Sequence, residues 1–212
     1  MIGSSLFPRT YNLFHVEQVW RSIIDSSRGV PTNHQIELLT RYRDWLADEA
    51  IPGGGMGPAE TARLDTRHIA DSLLFLLALP DVTEVLDIGS GVGLPGIPLA
   101  IAAPRSRFTL LDRSQRRCDL MRRAVRVLDL ENIQVVEGDL AGWHQKVPAV
   151  VTRASLPPDR LRAELDRVLQ PGGIGLVGGS WVDAPDHAGF STKEVGSKIL
   201  DQPVWILMMR HT

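Results

Sequence analysis

A cluster of four glycines constrains the fold of this chain more than any other feature of its sequence. An apolar run over 84–88 is followed by Gly89, Gly91, Gly93 and Gly96. A chain that turns sharply from a strand into a helix needs positive φ angles and close backbone approach, which glycine allows at little cost. A second apolar run ends on Asp112. Residues 84–112 therefore predict a strand, a turn, a helix and a second strand, the ligand-binding unit of an open α/β sheet.

The acidic residues of this unit indicate which ligand it binds. Residues 91–96 match G-x-G-x-x-G, and Asp112 follows at the spacing of a ribose-binding acid, a pattern that alone suits NAD. Asp87 argues against NAD, because a carboxylate beside a pyrophosphate is repelled. S-adenosylmethionine (SAM) has no phosphate and carries an α-ammonium and a sulfonium. We interpret the turn as a SAM site, with Asp87 near the ammonium and Asp112 on the ribose. A nucleotide cofactor or an ordinary strand–helix turn with capping acids is the alternative.

The composition fits one α/β domain of usual size with an extension. The chain has 212 residues, 43% hydrophobic and 23% charged, with a net charge of −2, so bulk charge alone does not indicate a nucleic-acid-binding protein. The one cysteine, Cys118, excludes an internal disulfide and fits a reducing compartment. The six histidines lack the spacing of metal ligands, so no metal is expected. We predict a cytoplasmic monomer with no signal peptide and no membrane span.

Amphipathic patterns predict two helices before the glycine unit, over 16–27 and 34–50, the second capped by Asn33. Because such a pair is not stable alone, we predict an N-terminal helical extension, residues 1–65, packed on a domain over 66–212. Residues 51–65 are the most flexible stretch by composition and are either a mobile lid or a plain linker. Thr66 is predicted to cap a third helix.

The later part of the chain predicts the rest of the sheet. Strands are expected at 133–136, 149–152 and 175–178, followed by an antiparallel pair at 191–199 and 203–210 that residues 200–202 join. Helices are expected at 114–128 and 160–169, the second ended by a Pro-Gly-Gly sequence at 171–173. The fold class is therefore α/β, a doubly wound, seven-stranded Rossmann-like sheet that ends in an antiparallel hairpin.

Two further strand ends carry candidate site residues, because the carboxyl ends of parallel strands face the ligand crevice. Asp139 follows the third strand, where an acid can accept from the adenine amine, although a neighbouring backbone amide is an alternative. Arg153 ends the fourth strand, where it can hold a substrate phosphate or the SAM carboxylate.

The helix predicted at 114–128 has one strongly basic face. Its core stripe includes Cys118, which is therefore interpreted as packing rather than as a nucleophile. Six arginines and no lysine lie in this region: Arg113, Arg116, Arg117, Arg122, Arg123 and Arg126. Arginine binds phosphate through two parallel hydrogen bonds, so we favour an RNA-backbone contact over a merely solvated helix face.

Four motifs resemble one bacterial family, the small-subunit (16S) ribosomal RNA guanine-N7 methyltransferases, also called glucose-inhibited division protein B. They are R-H-I-A-D-S at 67–72, L-D-I-G-S-G-V-G-L-P-G-I-P-L-A at 86–100, T-L-L-D at 109–112 and T-R-A at 152–154. The resemblance covers about residues 33–178 and implies a class I SAM-dependent methyltransferase that produces S-adenosylhomocysteine (SAH). It also implies small-subunit rRNA as the partner.

The resemblance, joined to the residue patterns, predicts three sets of site residues. The cofactor-binding set is Asp87, Gly89, Gly91, Gly93, Leu94, Asp112, Arg113, Asp139, Leu140 and Arg153. The substrate side or its support includes Arg67, His68, Asp71, Arg116 and Arg153, of which Arg67, His68 and Arg153 are the catalytic candidates. The RNA-binding set is Arg116, Arg117, Arg123 and Arg126.

The sequence departs from the family pattern in two places. The family has N-L-T shortly before R-H-x-x-D-S, where this chain has A-R-L-D at 62–65, and a lysine in L-K-G, where this chain has L-V-G-G at 176–179. A missing lysine removes one expected contact. Two alternatives therefore stay open, a SAM-dependent enzyme that acts on a small molecule and a SAM-binding ribosome-associated protein without catalysis.

Guanine N7 is an unprotonated lone pair, so its methylation needs no general base. The enzyme's contribution would be to align N7, the methyl carbon and the sulfur. The absence of a Ser-His-Asp set from the sequence is consistent with such catalysis by positioning.

Overall fold

The computed structural model describes residues 13–153, 157–179, 181, 183–196 and 204–212. Residues 1–12, Ala154 and the predicted joining residues 200–202 lie outside these ranges. The α-helices are α1 (Leu13–Arg28), α2 (Asn33–Trp45), α3 (Asp71–Leu73), α4 (Gly96–Ala102), α5 (Gln115–Leu128) and α6 (Pro158–Val168). The strands are β1 (Glu84–Ile88), β2 (Arg107–Asp112), β3 (Ile133–Glu137), β4 (Val147–Arg153), β5 (Leu169–Gly178), β6 (Ser191–Val195) and β7 (Val204–Arg210).

Within the described residues, these strands form a single sheet in the order β3-β2-β1-β4-β5-β7-β6. The first five are parallel, and β7 pairs antiparallel with both β5 and β6. From β1 the chain adds β2 and β3 on one side and then crosses to add β4 and β5 on the other, so β1 and β4 flank the topological switch point. An open α/β sheet binds its ligand at this point. The predicted doubly wound sheet with a terminal antiparallel hairpin is confirmed.

Alternating side chains of the central strand divide the interior into two layers. Val85 packs with α1, α2 and α4 on one face, whereas Leu86 and Ile88 pack with α6 on the other. Asp87 shares the first face and is fully buried there. A carboxylate at such a position must be satisfied by neighbouring donors, so its partners define the local structure.

Several predicted boundaries are wrong, each for a local reason. The fifth strand begins at Leu169 rather than at 175, so the Pro-Gly-Gly sequence lies inside β5 instead of ending a helix there. Gly172 has a φ of +76°, and its N–H donates to the carbonyl of His211. The first residues of β5 are therefore irregular, but they still pair with a neighbouring segment. The second helix is capped by Thr32 and not Asn33, because Thr32 and Gln35 form a reciprocal capping box.

The predicted N-terminal helices are confirmed as buried packing elements. Trp20 and Ile23 of α1 and Leu39 and Tyr42 of α2 belong to the same apolar cluster as Phe108 of the sheet. The division of the chain at residues 65 and 66 remains a prediction, and that position lies inside a helical segment.

The segment between α2 and β1 is helical but irregular. It consists of a π-helix at Leu46–Ala50, a 3-10 helix at Pro58–Arg63, a π-helix at Leu64–Ala70, the short α3 and a 3-10 helix at Leu74–Leu77. The predicted helix over 34–50 is confirmed in its extent, but it changes from α- to π-helical geometry after Trp45. Thr66 lies inside a π-helix, so its prediction as an N-cap is wrong. π-helical turns are uncommon and frequently lie at functional sites.

Among the described residues, no helix is long and apolar enough to cross a membrane.

Candidate functional site

The four glycines of the turn serve two different purposes. Gly89 and Gly91 have φ angles of +67° and +65°, and a Cβ added to Gly91 would meet no atom within 4 Å. Gly93, at φ +105°, and Gly96 are packed instead: a Cβ on Gly93 would strike Ile97, and one on Gly96 would lie 2.6 Å from Asp87 Oδ2. Gly91 therefore leaves space beside the backbone, and Gly93 and Gly96 let the turn and α4 approach the sheet.

Asp87 holds the turn from beneath. Its Oδ2 accepts hydrogen bonds from Ser90 Oγ at 2.5 Å and from the Gly96 amide at 2.9 Å. Its Oδ1 is buried and has no hydrogen-bond partner. Burial raises the pKa of Asp87 to about 7, against the opposing effect of these two donors. One carboxylate oxygen is thus used by the protein, and the other is a buried acceptor without a donor.

Asp112, at the end of β2, joins the turn to the start of α5. Its Oδ2 accepts from the Gly91 amide at 2.9 Å, and its Oδ1 accepts from the Ser114 amide at 2.9 Å. Arg117 Nη1 lies 3.7 Å from Oδ2. The carboxylate is 4% exposed as a residue but lines the cavity described next.

A cavity of about 440 Å³ opens at the carboxyl ends of the strands, within the size range of small-molecule sites. It brings together eight of the ten predicted cofactor-binding residues: Gly89, Gly91, Leu94, Asp112, Arg113, Asp139, Leu140 and Arg153. The remaining two, Asp87 and Gly93, are buried behind the turn. Asp139 Oδ1 accepts from the Ala141 amide at 2.9 Å, so this carboxylate also caps a short 3-10 helix, Leu140–Gly142.

Part of the cavity wall comes from the stretch predicted as a lid or linker. Gly55 and Met56 line the cavity, and a Cβ on Gly55 would lie 2.5 Å from Val92 Cγ1 and 2.8 Å from Leu120 Cδ1. Backbone hydrogen bonds from Gly53 to Glu49 and from Gly55 to Ala50 order this stretch. The composition suggested flexibility, whereas the glycines allow close packing against the turn and α5.

The arginine face of α5 is divided between this wall and solvent. Arg116 Nη2 donates to the Gly53 carbonyl, and Arg123 Nη2 forms an ion pair of 3.0 Å with Glu49. Arg117 lines the cavity, and Arg126 is exposed in the last turn of the helix. The four predicted RNA-binding residues therefore lie on one helix, but two of them contact the N-terminal part of the protein. Cys118 is fully buried, as predicted for a packing residue.

Arg153 links the cavity to the predicted catalytic residues. Its Nη2 lies 3.1 Å from His68 Nδ1, and its Nη1 donates to the Arg67 carbonyl at 3.2 Å. Burial lowers the pKa of Arg153, and Asp71 opposes that shift. Burial also raises the pKa of Asp71 to about 6, and Arg67 Nε lies 3.7 Å from its Oδ2. The R-H-x-x-D-S motif therefore contacts Arg153, and Arg153 in turn lines the cavity.

Sequence reasoning missed several residues of the site. Ser90 and Val92 line the cavity and lie within the motif, so their positions between the glycines were a usable signal. Gly55 and Met56 carried no such signal, because their place depends on contacts with residues far along the chain. Glu60, whose Oε2 lies 2.7 Å from His68 Nε2, was missed although His68 is only eight residues away, because 3-10 and π-helical turns rather than an α-helix separate the two.

Comparison with known proteins identifies the family. The family model described as rRNA small subunit methyltransferase G matches residues 35–180, which include the glycine turn, both of its acids and Arg153. The chain belongs to this family. The methyltransferase G relatives include a protein of Frankia casuarinae, 39% identical over 143 residues, which are 65% of this chain and 54% of the relative. A relative of the same name from Acidothermus cellulolyticus is 36% identical over 140 residues, 66% of this chain and 63% of the relative.

The chain therefore matches between about half and two thirds of the length of these methyltransferase G relatives. A crystal structure of the cyclase SpnF has a TM-score of 0.52 at 20% identity, over 67% of this chain and 81% of that protein. That likeness supports the Rossmann-like fold alone, since one fold serves many reactions.

The departure of this chain from the family pattern at the end of β5 has a structural counterpart. Val177 is buried, and a Cβ added to Gly178 would lie 2.6 Å from Phe75 Cζ. An apolar side chain and a closely packed glycine thus occupy the strand end where the family pattern has a lysine.

Proposed function

We propose that this chain transfers the methyl group of SAM to N7 of a guanine in small-subunit ribosomal RNA, in the cytoplasm. The observation that carries the proposal is that the family match spans the residues which build the cavity, from the glycine turn to Arg153. The proposal includes the activity, the cofactor and the RNA partner, with the chain acting as a monomer.

The residues present fit SAM. The unpaired Oδ1 of Asp87 is a buried acceptor without a donor, as expected beside a cationic group. The space next to Gly91 would be filled by any side chain, which suits close approach of a ligand to the backbone. Asp112 would hold the ribose hydroxyls, and Asp139 or the backbone beside Leu140 would receive the adenine. When bound, SAM supplies an electrophilic methyl group.

The chain's own task is then to position the base. Guanine N7 presents its lone pair without losing a proton, so no residue needs to act as a general base. Arg153, at the cavity, would hold a substrate phosphate or the SAM carboxylate, with His68 and Arg67 as its supports. Arg117 and Arg126 would bind the RNA backbone, because guanidinium groups pair with phosphate oxygens. Arg116 and Arg123 would contribute there while also holding the cavity wall.

Transfer of labelled methyl from SAM to small ribosomal subunits that lack the modification tests the proposal. Naked rRNA and a reaction without RNA are run beside it. We expect label as 7-methylguanine at one position and none without RNA. Label on another base atom, or the absence of label on every RNA despite calorimetric binding of SAM, would contradict the proposal.

A second candidate is a SAM-dependent reaction on a small molecule, and the apolar end of β5 favours it. Val177 and the Gly178–Phe75 contact replace a cationic side chain that would assist an RNA substrate. This candidate predicts turnover of SAM with a small acceptor in the reaction without RNA. The third candidate, a SAM-binding ribosome-associated protein without catalysis, predicts binding of SAM and of ribosomal particles with no transfer to either.

A further inference from the structure

A short chain of polar contacts runs from the N-terminal segment to the cavity. Glu60 lies on the 3-10 helix Pro58–Arg63, and its Oε2 is 2.7 Å from His68 Nε2. On the other side of the same imidazole, His68 Nδ1 is 3.1 Å from Arg153 Nη2. Arg153 lines the cavity, whereas His68 is mostly buried behind it. The contact between Glu60 and the site is therefore indirect.

The Glu60 carboxylate and the Arg153 guanidinium together determine the protonation state of the His68 imidazole between them. A guanidinium can only donate hydrogen bonds, and an ionised carboxylate can only accept them. His68 must then accept at Nδ1 and donate from Nε2, which is a single tautomer of the neutral ring. A protonated His68 would direct an N–H at the Arg153 guanidinium, and that contact would be lost.

The electrostatics of the surroundings agree with a neutral His68. Burial lowers the pKa of His68, and the charges of Arg153 and Arg67 act in the same direction, while Glu60 raises it. The hydrogen bond from His68 lowers the pKa of Glu60, so this carboxylate is ionised at neutral pH. The charge of Asp71 raises the pKa of Arg153, which favours the guanidinium form of the Arg153 side chain.

We propose that Glu60 is a positioning residue for the reaction: it holds His68 in one tautomer and thereby sets where the Arg153 guanidinium lies in the cavity. The inference rests on the proposed function only for what Arg153 binds. The control of the His68 tautomer by Glu60 does not depend on which substrate the protein binds.

The first experiment measures that state without any ligand. In protein labelled with ¹⁵N at histidine, the nitrogen shifts of His68 report which nitrogen carries the proton and at what pH the ring protonates. We expect the Nε2–H tautomer in the unmodified protein, with titration below the 6.5 of an ordinary histidine. Glu60→Gln keeps an acceptor at the same place, so the tautomer should persist while the pKa of His68 falls further.

Two more variants complete this measurement. Glu60→Ala removes the acceptor at Nε2 that holds the ring in place. The imidazole can then turn away from Arg153, so the two tautomers should mix, and the pKa of His68 should fall because Glu60 raises it. Thr61→Ala is the matched control, because Thr61 lies on the same 3-10 helix, is exposed, and its hydroxyl donates to the Pro58 carbonyl rather than to His68. It should leave the His68 signals unchanged. An identical tautomer and titration in Glu60→Ala and the unmodified protein would overturn the proposal.

The second experiment separates positioning from general stabilisation of the fold. Glu60→Ala should lower kcat/KM for methyl transfer about tenfold, less than the hundredfold that a 1 Å misplacement of a group can cause. In an Arg153→Ala background the same substitution should change kcat/KM less than twofold, because its target is gone. Equal losses in both backgrounds would show a purely structural role and overturn the proposal. If no RNA is methylated at all, the proposed function fails, and the nitrogen shifts still decide the role of Glu60.

Discussion

The two sides of the cavity differ in how their structure is specified. The side built by residues 84–112 follows from a local pattern, in which apolar runs, glycines and acids occur in the order that the strands, turn and helix require. The side built by residues 46–77 consists of short π- and 3-10-helical pieces, and its cavity residues are held by contacts with α5 and the turn. A single ligand site can therefore combine a wall that local sequence patterns specify, here residues 84–112, with a wall that depends on tertiary packing, here residues 46–77.

The largest expected effect comes from matched substitutions of two glycines in the locally specified wall. Gly96→Ala should destabilise the protein by about 3 kcal/mol, because its Cβ would strike Leu110 and Asp87 in a close-packed core. Gly91→Ala has room for its Cβ but a φ of +65°, so it should cost about 1–2 kcal/mol and abolish SAH binding. Chemical denaturation and calorimetry measure the two quantities. Equal losses of stability would contradict the assignment of Gly96 to packing and of Gly91 to the ligand.

The packed wall can be disturbed alone through Gly55. Gly55→Val would press on Val92 and Leu120, so the segment should move and SAH affinity should fall about tenfold, with a loss of stability of about 1–2 kcal/mol. Gly57→Val is the matched control, since a Cβ at Gly57 meets no atom within 4 Å. Calorimetric titration with SAH checks both variants. Unchanged affinity in Gly55→Val would mean that this wall does not bind the cofactor.

The buried acid beneath the turn should give stability a pH dependence. The pKa of Asp87 is about 7 in the folded protein and 3.8 as its ordinary value, so the folded state binds this proton more tightly. Its contribution is complete in acid and is lost as the pH rises through about 7, with a limiting slope of about 1.4 kcal/mol per pH unit. Asp87→Asn removes this pH-dependent loss of stability. The corresponding loss from Asp71, whose pKa is about 6, remains in the variant.

The measurement for Asp87→Asn is the difference in free energy of unfolding between the two proteins, taken from pH 4 to pH 8. The difference should move in favour of the variant as the pH rises. A constant difference would show that Asp87 is ionised throughout, held so by Ser90 and the Gly96 amide.

The smallest effects on the fold should come from the arginines of α5. Arg126→Ala should change stability by less than about 0.5 kcal/mol, leave SAH affinity unaltered and reduce the slope of log affinity for RNA against log salt by about one. Arg116→Ala should in addition weaken SAH binding a few-fold, because Arg116 holds the Gly53 carbonyl. Filter binding of rRNA across a salt series distinguishes the two. Identical behaviour of both variants would place Arg116 with the solvent-facing arginines.

The sequence allowed prediction of the sheet, the turn and most residues around the cavity, since each depended on local spacing. Residues 84–88 are the observed β1, and Asp112 ends β2 as expected. Thr32 was overlooked as a cap because its partner Gln35 had to be considered with it. Gly55 and Met56 could not be found, because nothing near them in the sequence specifies a partner. Glu60 was missed because irregular 3-10 and π-helical turns, not an α-helix, bring it to His68. The position of Gly55 follows from its contacts with Val92 of the turn and Leu120 of α5, at separations of roughly 35 to 65 residues along the chain.

The hydrogen bond from Tyr42 Oη to the Val92 carbonyl, 3.0 Å long and fully buried, has a consequence for biosynthesis. The two N-terminal helices leave the ribosome before the strands and the turn on which they pack. Until Val92 and the strands around it emerge, the apolar faces of Trp20 and Tyr42 have no complete surface to cover them. Docking of these helices must therefore wait for about half of the chain, and a nascent chain paused before β2 should bind chaperones that capture exposed apolar surface.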